Sequence, residues 1–264
     1  MEALAEFQIT KIKNGKIFKT KDILIREIKT DIYINGKKAV SMMATPIDLE
    51  ALAIGYLISE GIVENLNDFE KIELKEDGLI IDVKAKTNEK KLKKLSEEAI
   101  LVSGCGKSVS ANISISPEEI EAEKITSKKK ISPEEITRQM NEFYKSCPLY
   151  EKTGCVHTAR IFFDEKNYFD AEDIAQHNTI DKACGKAIQK GLDPKNAIMM
   201  VSGRLSSEMV VKAIMHKIPI LISRTATTCL GAKTAEVFNL TLVGFVRGEN
   251  MNIYTHPWRI VFED

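Results

Sequence analysis

Short apolar runs that alternate with polar residues dominate the first hundred residues. Across residues 7–40 they predict a small sheet in which Asn35-Gly36 forms a hairpin turn, because this dipeptide tolerates the backbone angles of a two-residue turn. Thr45-Pro46 then predicts the N-cap and first residue of a helix whose apolar positions recur at helical spacing. A second hairpin at 72–83 and a charged helix at 88–98 complete a predicted α+β domain.

A different pattern occupies the second half of the chain. Fully apolar runs at 197–201, 219–222 and 240–245 alternate with helical patterns at 207–216 and 229–238. This β-α-β-α-β order predicts a parallel sheet covered by helices on both faces. Ligands of such sheets bind beyond the carboxyl ends of the strands, so the loops that follow these strands are the ones to examine for chemistry.

Two Ser-Pro-Glu-Glu segments lie between these halves. Ser116 and Ser132 each precede a proline and a capping-box glutamate, which predicts two helix starts. The run Lys128-Lys129-Lys130 between them is interpreted as a solvated connector rather than a nucleic-acid patch. We therefore predict an N-terminal α+β domain over 1–125 and an α/β domain over 126–264.

Composition narrows the class of protein. Of the 264 residues, 44% are hydrophobic, which is enough for a full core, and 38 basic residues balance 38 acidic ones. A neutral chain has no overall attraction for nucleic acid or for an anionic membrane. The five cysteines include no CxxC pair, and no apolar run approaches the ~18 residues of a membrane span. We expect a cytoplasmic protein that contacts neither nucleic acid nor membrane.

The first candidate for chemistry is Cys105, which lies between Gly104 and Gly106 with Lys107 close behind. Glycines leave the sulfur unshielded, and a nearby ammonium favours thiolate, so Cys105 is a candidate nucleophile or sulfur carrier. The alternative is a small apolar residue in a tight turn. The other four cysteines lie in segments predicted to be core or helix.

Three loops that follow the predicted strands carry the second candidate site. Each has an arginine, namely Arg204, Arg224 and Arg247, together with hydroxyl groups or glycine. Helix N-termini and arginine forks both bind phosphates, so neighbouring loops of this kind suit a nucleotide diphosphate. The predicted binding residues are Ser202, Gly203, Arg204, Thr225, Phe245, Val246, Arg247, Gly248, Glu249 and Asn250.

Histidines and carboxylates upstream raise the question of a metal. Zinc deaminases need an H-x-E and a P-C-x-x-C signature, and neither is present, so we expect no metal site. Cys184 lies on the apolar face of the predicted helix and belongs to the core. Three polar residues precede that apolar face and are better placed than Cys184 to bind a ligand or to orient a base. They are Asp173, His177 and Asn178.

In combination these motifs resemble the FdhD family over nearly the whole chain. The resemblance rests on Thr45-Pro46-x-Asp48-Leu49-Glu50-Ala51-Leu52-Ala53-Ile54-Gly55-Tyr56, the Cys105 loop, Thr153-Gly154-x-Val156-His157, Asp173-x-x-x-His177-Asn178-x-x-Asp181-Lys182, Ser202-Gly203-Arg204-x-Ser206 and Gly244-Phe245 with Tyr254-Thr255-His256-Pro257. It implies a sulfur carrier needed for formate dehydrogenase activity. It further implies that the domain over 126–264 is a three-layer α/β/α cytidine-deaminase-like fold without zinc.

The resemblance also implies a chemistry and a set of partners. A cysteine, here Cys105, would take persulfide sulfur from a cysteine desulfurase and pass it to the bis-molybdopterin guanine dinucleotide cofactor of molybdenum or tungsten. The strand-end loops, with His177 and Asn178, would hold the guanine dinucleotide, and GDP would serve as an analogue. Formate dehydrogenase is the expected client, and a homodimer is the expected assembly.

Two positions depart from the family pattern. The family loop usually contains C-G-x-C-G, whereas this chain has one cysteine there. Either Cys105 matches the first cysteine and Ser108 replaces the second, or Cys105 matches the second and Val102 replaces the first. The arginine that usually precedes the His-Asn pair is Gln176 here, and Arg224 is the residue that could compensate.

Two other functions fit the same residues. One is a nucleotide-binding regulatory protein without covalent chemistry, in which case replacing Cys105 with alanine would leave function intact. The other is a degenerate deaminase, which would require bound zinc.

Overall fold

The computed structural model describes residues 1–102 and 116–262, and for 96–102 the backbone alone. Its helices are α1 (Leu49–Ser59), α2 (Glu89–Val102), α3 (Pro133–Lys145), α4 (Pro148–Thr153), α5 (Gln176–Gln189), α6 (Ser207–Met215) and α7 (Cys229–Val237). Its strands are β1 (Leu4–Lys13), β2 (Lys16–Ile25), β3 (Ile28–Ile34), β4 (Lys37–Ala44), β5 (Phe69–Lys75), β6 (Ile80–Ala85), β7 (His157–Phe162), β8 (Tyr168–Asp173), β9 (Ile198–Val201), β10 (Ile220–Ser223), β11 (Thr241–Arg247) and β12 (Asn250–Thr255).

The larger of the sheets has six strands in the order β12-β11-β10-β9-β7-β8. The predicted β-α-β-α-β unit is confirmed as β9-α6-β10-α7-β11, whose strands are parallel. The sheet as a whole is mixed, because β7 runs antiparallel to β9 and β12 antiparallel to β11. Side chains of the central strands alternate between two cores, so both faces of the sheet are buried. Helices α5, α6 and α7 contribute to one core and α3 contributes to the other.

A second sheet, called here the smaller sheet, has four strands in the order β4-β3-β6-β5 and packs against α1. Strands β1 and β2 pair with each other as a separate hairpin. The predicted hairpin turn is confirmed, since Asn35 and Gly36 join β3 to β4 with φ of 50° and 78°. Helix α1 begins at Leu49 instead of Pro46, and its N-cap is Asp48. The prediction was wrong because the Thr45 hydroxyl does not cap the helix: Thr45 Oγ1 accepts the backbone N–H of Ile174 in the other half of the chain.

The two Ser-Pro-Glu-Glu segments have different outcomes. Ser132 caps α3 as predicted, because its Oγ accepts the backbone N–H of Glu135 at 3.2 Å. Ser116 precedes a single 3-10 turn, Pro117–Glu119, so the predicted helix is wrong at that point. Ile120 and Ile125, which precede the predicted domain boundary, pack in the core formed with α5, α6 and α7. The division at 125/126 stays a prediction.

Helices α1 and α5 join the two sheets through a close backbone contact. A Cβ atom at Gly55 would lie 2.0 Å from the carbonyl oxygen of Asp181, and one at Gly185 would lie 1.9 Å from that of Ala51. Glycine at both positions therefore lets the helix backbones touch. Beside this crossing, buried Lys212 donates to Asp181 Oδ2 at 2.7 Å and to Ser59 Oγ at 3.2 Å, which links α6, α5 and α1.

Candidate functional site

Hydrogen bonds tie together the loops that follow β9, β10 and β11. Ser223 Oγ donates to the carbonyl oxygen of Gly203 at 2.7 Å and accepts the N–H of Thr225 at 3.1 Å. The N–H of Phe245 donates to the carbonyl oxygen of Thr225 at 3.1 Å. Because the three strands are adjacent and parallel, their carboxyl ends meet at one edge of the sheet, as the sequence predicted.

A pocket of about 650 Å³ opens at this edge. Side chains from α3, from α4 and from the amino end of β7 complete it, because β7 is antiparallel to β9 and so begins at the same edge. The lining residues are Tyr144, Tyr150, Gly154, Cys155, Val156, His157, Ile174, Ser202, Arg224, Thr225 and Arg247.

Arg224 and two tyrosines form one wall of the pocket. The Arg224 Cζ lies 4.6 Å from the centroid of the Tyr144 ring, a cation–π contact, and the ring of Tyr150 meets that of Tyr144 edge-on at 6.5 Å. Burial raises the pKa of Tyr144 to about 12, although the charge of Arg224 opposes the rise. The phenol is therefore neutral at physiological pH and available as a hydrogen-bond donor.

His157 also lines the pocket, close to Ser202. Its Nδ1 is 3.3 Å from Ser202 Oγ, which also accepts the backbone N–H of Thr158 at 3.0 Å. Burial lowers the pKa of His157, and the positive charge of Arg204 lowers it further. His157 is thus neutral near pH 7 and contributes hydrogen bonding rather than charge to the pocket.

A β-bulge in β11 sets the position of Arg247. The register between β11 and β12 shifts between Gly244 and Arg247, and Phe245 has a φ of 54°. Bulges redirect the side chains that follow them. Here Val246 is buried, while Arg247 lines the pocket with its Cζ 5.7 Å from the Phe245 ring.

The sequence of this chain matches a known protein family over most of its length. Residues 25–261 match the model of the FdhD/NarQ family. The chain belongs to the FdhD/NarQ family. Sulfur carrier protein FdhD of Wolinella succinogenes is 44% identical over 239 residues, which are 90% of this chain and 82% of that protein. Sulfur carrier protein FdhD of Bacillus subtilis is 31% identical over 252 residues, 96% of this chain and 95% of that protein.

The fold of this chain also matches that of a solved structure. A crystal structure from Desulfotalea psychrophila, described as a formate dehydrogenase accessory protein, superposes with a TM-score of 0.80 at 25% sequence identity. The match covers 98% of this chain and 100% of that one. This chain and that accessory protein therefore share the mixed α/β fold.

The structure places some of the predicted binding residues in this pocket. Ser202, Thr225 and Arg247 line the pocket. The remaining predicted residues lie outside its lining. Gly203 and Arg204 follow β9, Phe245 and Val246 belong to β11, Gly248 and Glu249 form the turn before β12, Asn250 begins β12, and His177 and Asn178 belong to α5.

Some of these residues make contacts within the protein that explain why they occur at their positions. Val246 is 2% exposed and packs in the core on the α3 side of the sheet. The side-chain amide of Asn178 donates to the carbonyl oxygen of Met43 at 2.9 Å and to Asp173 Oδ1 at 3.1 Å. His177 Nε2 lies 3.1 Å from a carboxylate oxygen of Glu208. Val246 and Asn178 therefore stabilise the fold.

Asp173, expected near a ligand, is fully buried instead. Its carboxylate lies 2.6 Å from Lys182 Nζ and accepts the backbone N–H groups of Thr45 at 3.0 Å and Ala175 at 2.8 Å. A carboxylate with these donors is already satisfied. The role of Asp173 is to hold the segment before α1 against α5, so the expectation of ligand contact was wrong for this residue.

Gln176, which replaces the usual arginine of the family, also has a structural contact. Its Nε2 donates to the carbonyl oxygen of Arg204 at 2.7 Å. A Cβ atom at Gly203 would lie 2.4 Å from Gln176 Cδ, so the loop after β9 packs directly on this side chain. Arg204 is exposed, and Arg224 is the arginine beside the tyrosines of the pocket.

The cysteines divide into two groups. Cys147 and Cys184 are buried, and burial raises the pKa of Cys147 to about 12 and that of Cys184 well above its usual value, so both are unreactive thiols. Cys155 and Cys229 are exposed, and Cys155 lines the pocket, which corrects the expectation that it is core or helix. Cys105 lies outside the described residues.

Metal-ligating side chains do not assemble in the described part of the chain, where no three His, Cys, Asp or Glu residues are placed to hold one ion. Among the same residues, no helix combines the length and the apolar character needed to cross a membrane.

Proposed function

We propose that the protein is a sulfur carrier for formate dehydrogenase. Cys105 accepts persulfide sulfur from a cysteine desulfurase and passes it to the bis-molybdopterin guanine dinucleotide cofactor of molybdenum or tungsten, which is the substrate. Membership of the FdhD/NarQ family and relatives named sulfur carrier protein support this role. A further support is the solved relative described as a formate dehydrogenase accessory protein.

One observation carries the nucleotide part of the proposal: two arginines and two tyrosines line one pocket at the strand ends. Arginine forks bind diphosphate oxygens through charge-assisted hydrogen bonds. Tyrosine rings offer a flat apolar surface to a purine, and neutral His157 and Thr225 add uncharged polar groups. The charge of the arginines and the flat rings of the tyrosines support the proposal that this pocket takes the guanosine diphosphate half of the cofactor.

The sulfur chemistry would begin with exchange at a persulfide. The Cys105 thiolate attacks the outer sulfur of the desulfurase persulfide, a new S–S bond forms, and the donor cysteine leaves as thiolate. No external oxidant is needed for this step. Release of the sulfur as sulfide takes two electrons, which must come from a second thiol or another reductant because the loop has one cysteine.

We also propose that the six-stranded sheet and its helices are related to the cytidine deaminases without their zinc. The parallel β9-α6-β10-α7-β11 unit and the burial of both sheet faces support this relation.

The direct test of the pocket is calorimetric titration with GDP. We predict that the wild-type protein binds GDP and that binding weakens in high salt. Arg224→Ala and Arg247→Ala should each weaken binding about 10- to 150-fold, since a hydrogen bond to a charged group contributes about 1.5–3 kcal/mol. Arg138→Ala is the matched control, because Arg138 is ion-paired with Glu135 on α3 and does not line this pocket.

Absence of GDP binding by the wild-type protein would refute the nucleotide site. Wild-type affinity in both pocket variants would place the nucleotide elsewhere. If GDP binds and Cys105→Ala still supports formate dehydrogenase maturation, the protein is a nucleotide-binding regulator without covalent chemistry.

A further inference from the structure

A pocket of about 620 Å³, here called the basic pocket, lies at the other edge of the six-stranded sheet. It is lined by residues 123–129 and by Lys195, Asn196 and Lys217. Lys195 and Asn196 come just before β9, and Lys217 comes just before β10, so the basic pocket is at the amino ends of the parallel strands. The pocket of Arg224 and Arg247 is at their carboxyl ends, and no described residue lines both pockets.

Positive charge predominates in the basic pocket. Among the described residues, five lysines line it against a single carboxylate. The ion pairs already present are Lys217 with Glu123 at 2.7 Å and Lys195 with Asp193 at 2.6 Å. Lys124 and Lys128 are exposed and form no ion pair within the part of the chain that the structure describes. A chain without net charge therefore places unpaired cations together in one pocket.

A fully buried arginine, Arg259, adds a charge that no described carboxylate balances. Its Nε donates to the carbonyl oxygen of Ser127 at 3.2 Å. Its Nη1 donates to the carbonyl oxygen of Asn239 at 2.8 Å and to Thr241 Oγ1 at 3.1 Å. Its Nη2 is buried and has no hydrogen-bond partner among the described residues. Burial lowers the pKa of Arg259 to about 10, so the side chain still carries its charge at neutral pH.

The unpartnered edge of Arg259 faces the basic pocket. The N–H groups of Nε and Nη2 lie along one edge of the planar guanidinium. Because Nε donates to Ser127, the edge that carries Nη2 also faces Ser127, and Ser127 lines the pocket. A buried cation without a counter-charge is unfavourable. An anion bound on the pocket side of Ser127 would supply that counter-charge.

Uncharged hydrogen-bond donors are present in the same pocket. Thr126 and Ser127 bring two hydroxyl groups, and Asn196 brings a side-chain amide. Ser127 Oγ accepts the backbone N–H of Lys129 at 3.3 Å, which leaves its own hydrogen to donate. Hydroxyl and amide donors beside lysines are the groups that bind phosphate oxygens.

We propose that the basic pocket is a second anion site, which binds a ligand with three linked phosphate groups. Its volume is that of a small-molecule site rather than of a protein interface. Its lysines come from three separate segments of the chain, so a linear ligand with several charges reaches more of them than a single phosphate does. The phosphate chain is either free or attached to a nucleoside, since both present the same oxygens.

Trp258 provides a local probe of this site. It is the single tryptophan of the chain. The centroid of its ring lies 5.2 Å from Lys128 Nζ and 4.0 Å from Arg259 Cζ. An anion that binds beside these two cations changes the electric field at the ring. Tryptophan fluorescence therefore reports on the basic pocket, whereas Trp258 does not line the pocket of Arg224 and Arg247.

Fluorescence titration with sodium tripolyphosphate tests the proposal. The wild-type protein should show a saturable change in emission, and inorganic monophosphate should bind about tenfold more weakly or worse. Lys124→Ala combined with Lys128→Ala should weaken tripolyphosphate binding by about tenfold or more, because two charged donors are lost. Lys37→Ala with Lys86→Ala is the matched control: it removes the same charge from exposed positions beside the smaller sheet and should leave the affinity unchanged. Circular dichroism establishes that each variant is folded.

Two further titrations separate the pockets and the sources of phosphate. Arg224→Ala with Arg247→Ala should keep the wild-type response to tripolyphosphate, so a failed GDP titration bears on the first pocket alone. ATP that binds more tightly than tripolyphosphate would identify the ligand as a nucleotide, and equal affinities would identify a free phosphate chain.

Four results would each overturn the proposal. They are a wild-type protein without a saturable response, wild-type affinity in Lys124→Ala/Lys128→Ala, an equal loss of affinity in Lys37→Ala/Lys86→Ala, and tighter binding of hexaglutamate than of tripolyphosphate. The last result would show that the basic pocket prefers an acidic polypeptide.

Discussion

At the scale of single residues, the charged groups of the pocket could be predicted, but its aromatic wall could not. Arg224 and Arg247 directly follow apolar strands, so their convergence depends only on strand order. Tyr144 and Tyr150 belong to helices distant in sequence, and Tyr144 sits on the apolar side of α3, where it is indistinguishable from a core residue. Only the packing of α3 on the sheet brings it to Arg224.

Burial explains why Asp173, which precedes α5, was misinterpreted as a ligand-binding residue. A carboxylate beside a histidine and an asparagine is typical of a binding site in a sequence. The structure pairs Asp173 with Lys182, both fully buried, and uses them to hold Thr45. Sequence alone does not distinguish a buried ion pair from a ligand site, because both need the same residue types.

His177 should make the stability of the protein depend on pH. Burial and, to a lesser extent, the positive charge of Lys212 together lower its pKa to about 4, whereas an unfolded histidine titrates near ~6.5. Between these values the unfolded chain binds a proton that the folded chain does not. The free energy of unfolding should therefore be highest above pH 6.5 and fall as the pH drops towards 4.

The substitution His177→Gln isolates this effect. Glutamine can still donate a hydrogen bond to Glu208 but does not titrate. Urea unfolding at pH 7 and pH 5 should show a decline that is smaller in the variant by roughly 2 kcal/mol. Equal declines in the two proteins would mean that His177 is not the titrating group.

At the scale of elements, the contact between α1 and α5 should tolerate no side chain. Gly55→Ala or Gly185→Ala would place a methyl group within about 2 Å of a backbone oxygen, so the helices must separate. We expect each change to lower the free energy of unfolding by about 3 kcal/mol or more, at the upper end of overpacking effects. Denaturant unfolding measures this directly.

Gly191→Ala serves as the control for that experiment. It adds the same methyl group in open space, at a φ of 74°. The free energy of unfolding should fall by only about 1–2 kcal/mol, because alanine is strained in the left-handed backbone conformation. If the three variants were equally stable, the close crossing of α1 and α5 would not be a determinant of stability.

Local sequence patterns predicted turns and helix starts correctly where the tertiary contacts agreed with them. Asn35-Gly36 and Ser132-Pro133 formed the predicted turn and helix start. Asn14 and Gly15 carry the same turn signal between β1 and β2, with φ of 51° and 74°, and were overlooked because the flanking strands are rich in lysine. Thr45 failed as a cap because its hydroxyl bonds Ile174, a contact that no local pattern encodes.

At the scale of the whole molecule, Cys105 lies in the chain between the two sheets. Residues 103–115 connect α2, beside the smaller sheet, to Ile120 and Ile125 in the core of the larger one. The pocket is formed entirely by residues after this connection. Under the proposed function, sulfur acceptance and nucleotide binding therefore belong to different segments of the chain.

The central claim is that Cys105 carries the sulfur, and the most direct measurement is peptide mass analysis after incubation with a cysteine desulfurase and cysteine. We predict one added sulfur on the peptide that contains Cys105, and loss of both this label and formate dehydrogenase maturation in Cys105→Ser. Cys155→Ser is the matched control, since its exposed thiol lines the pocket and should carry no sulfur. Sulfur found on Cys155 or Cys229 instead, or maturation supported by Cys105→Ser, would contradict the account.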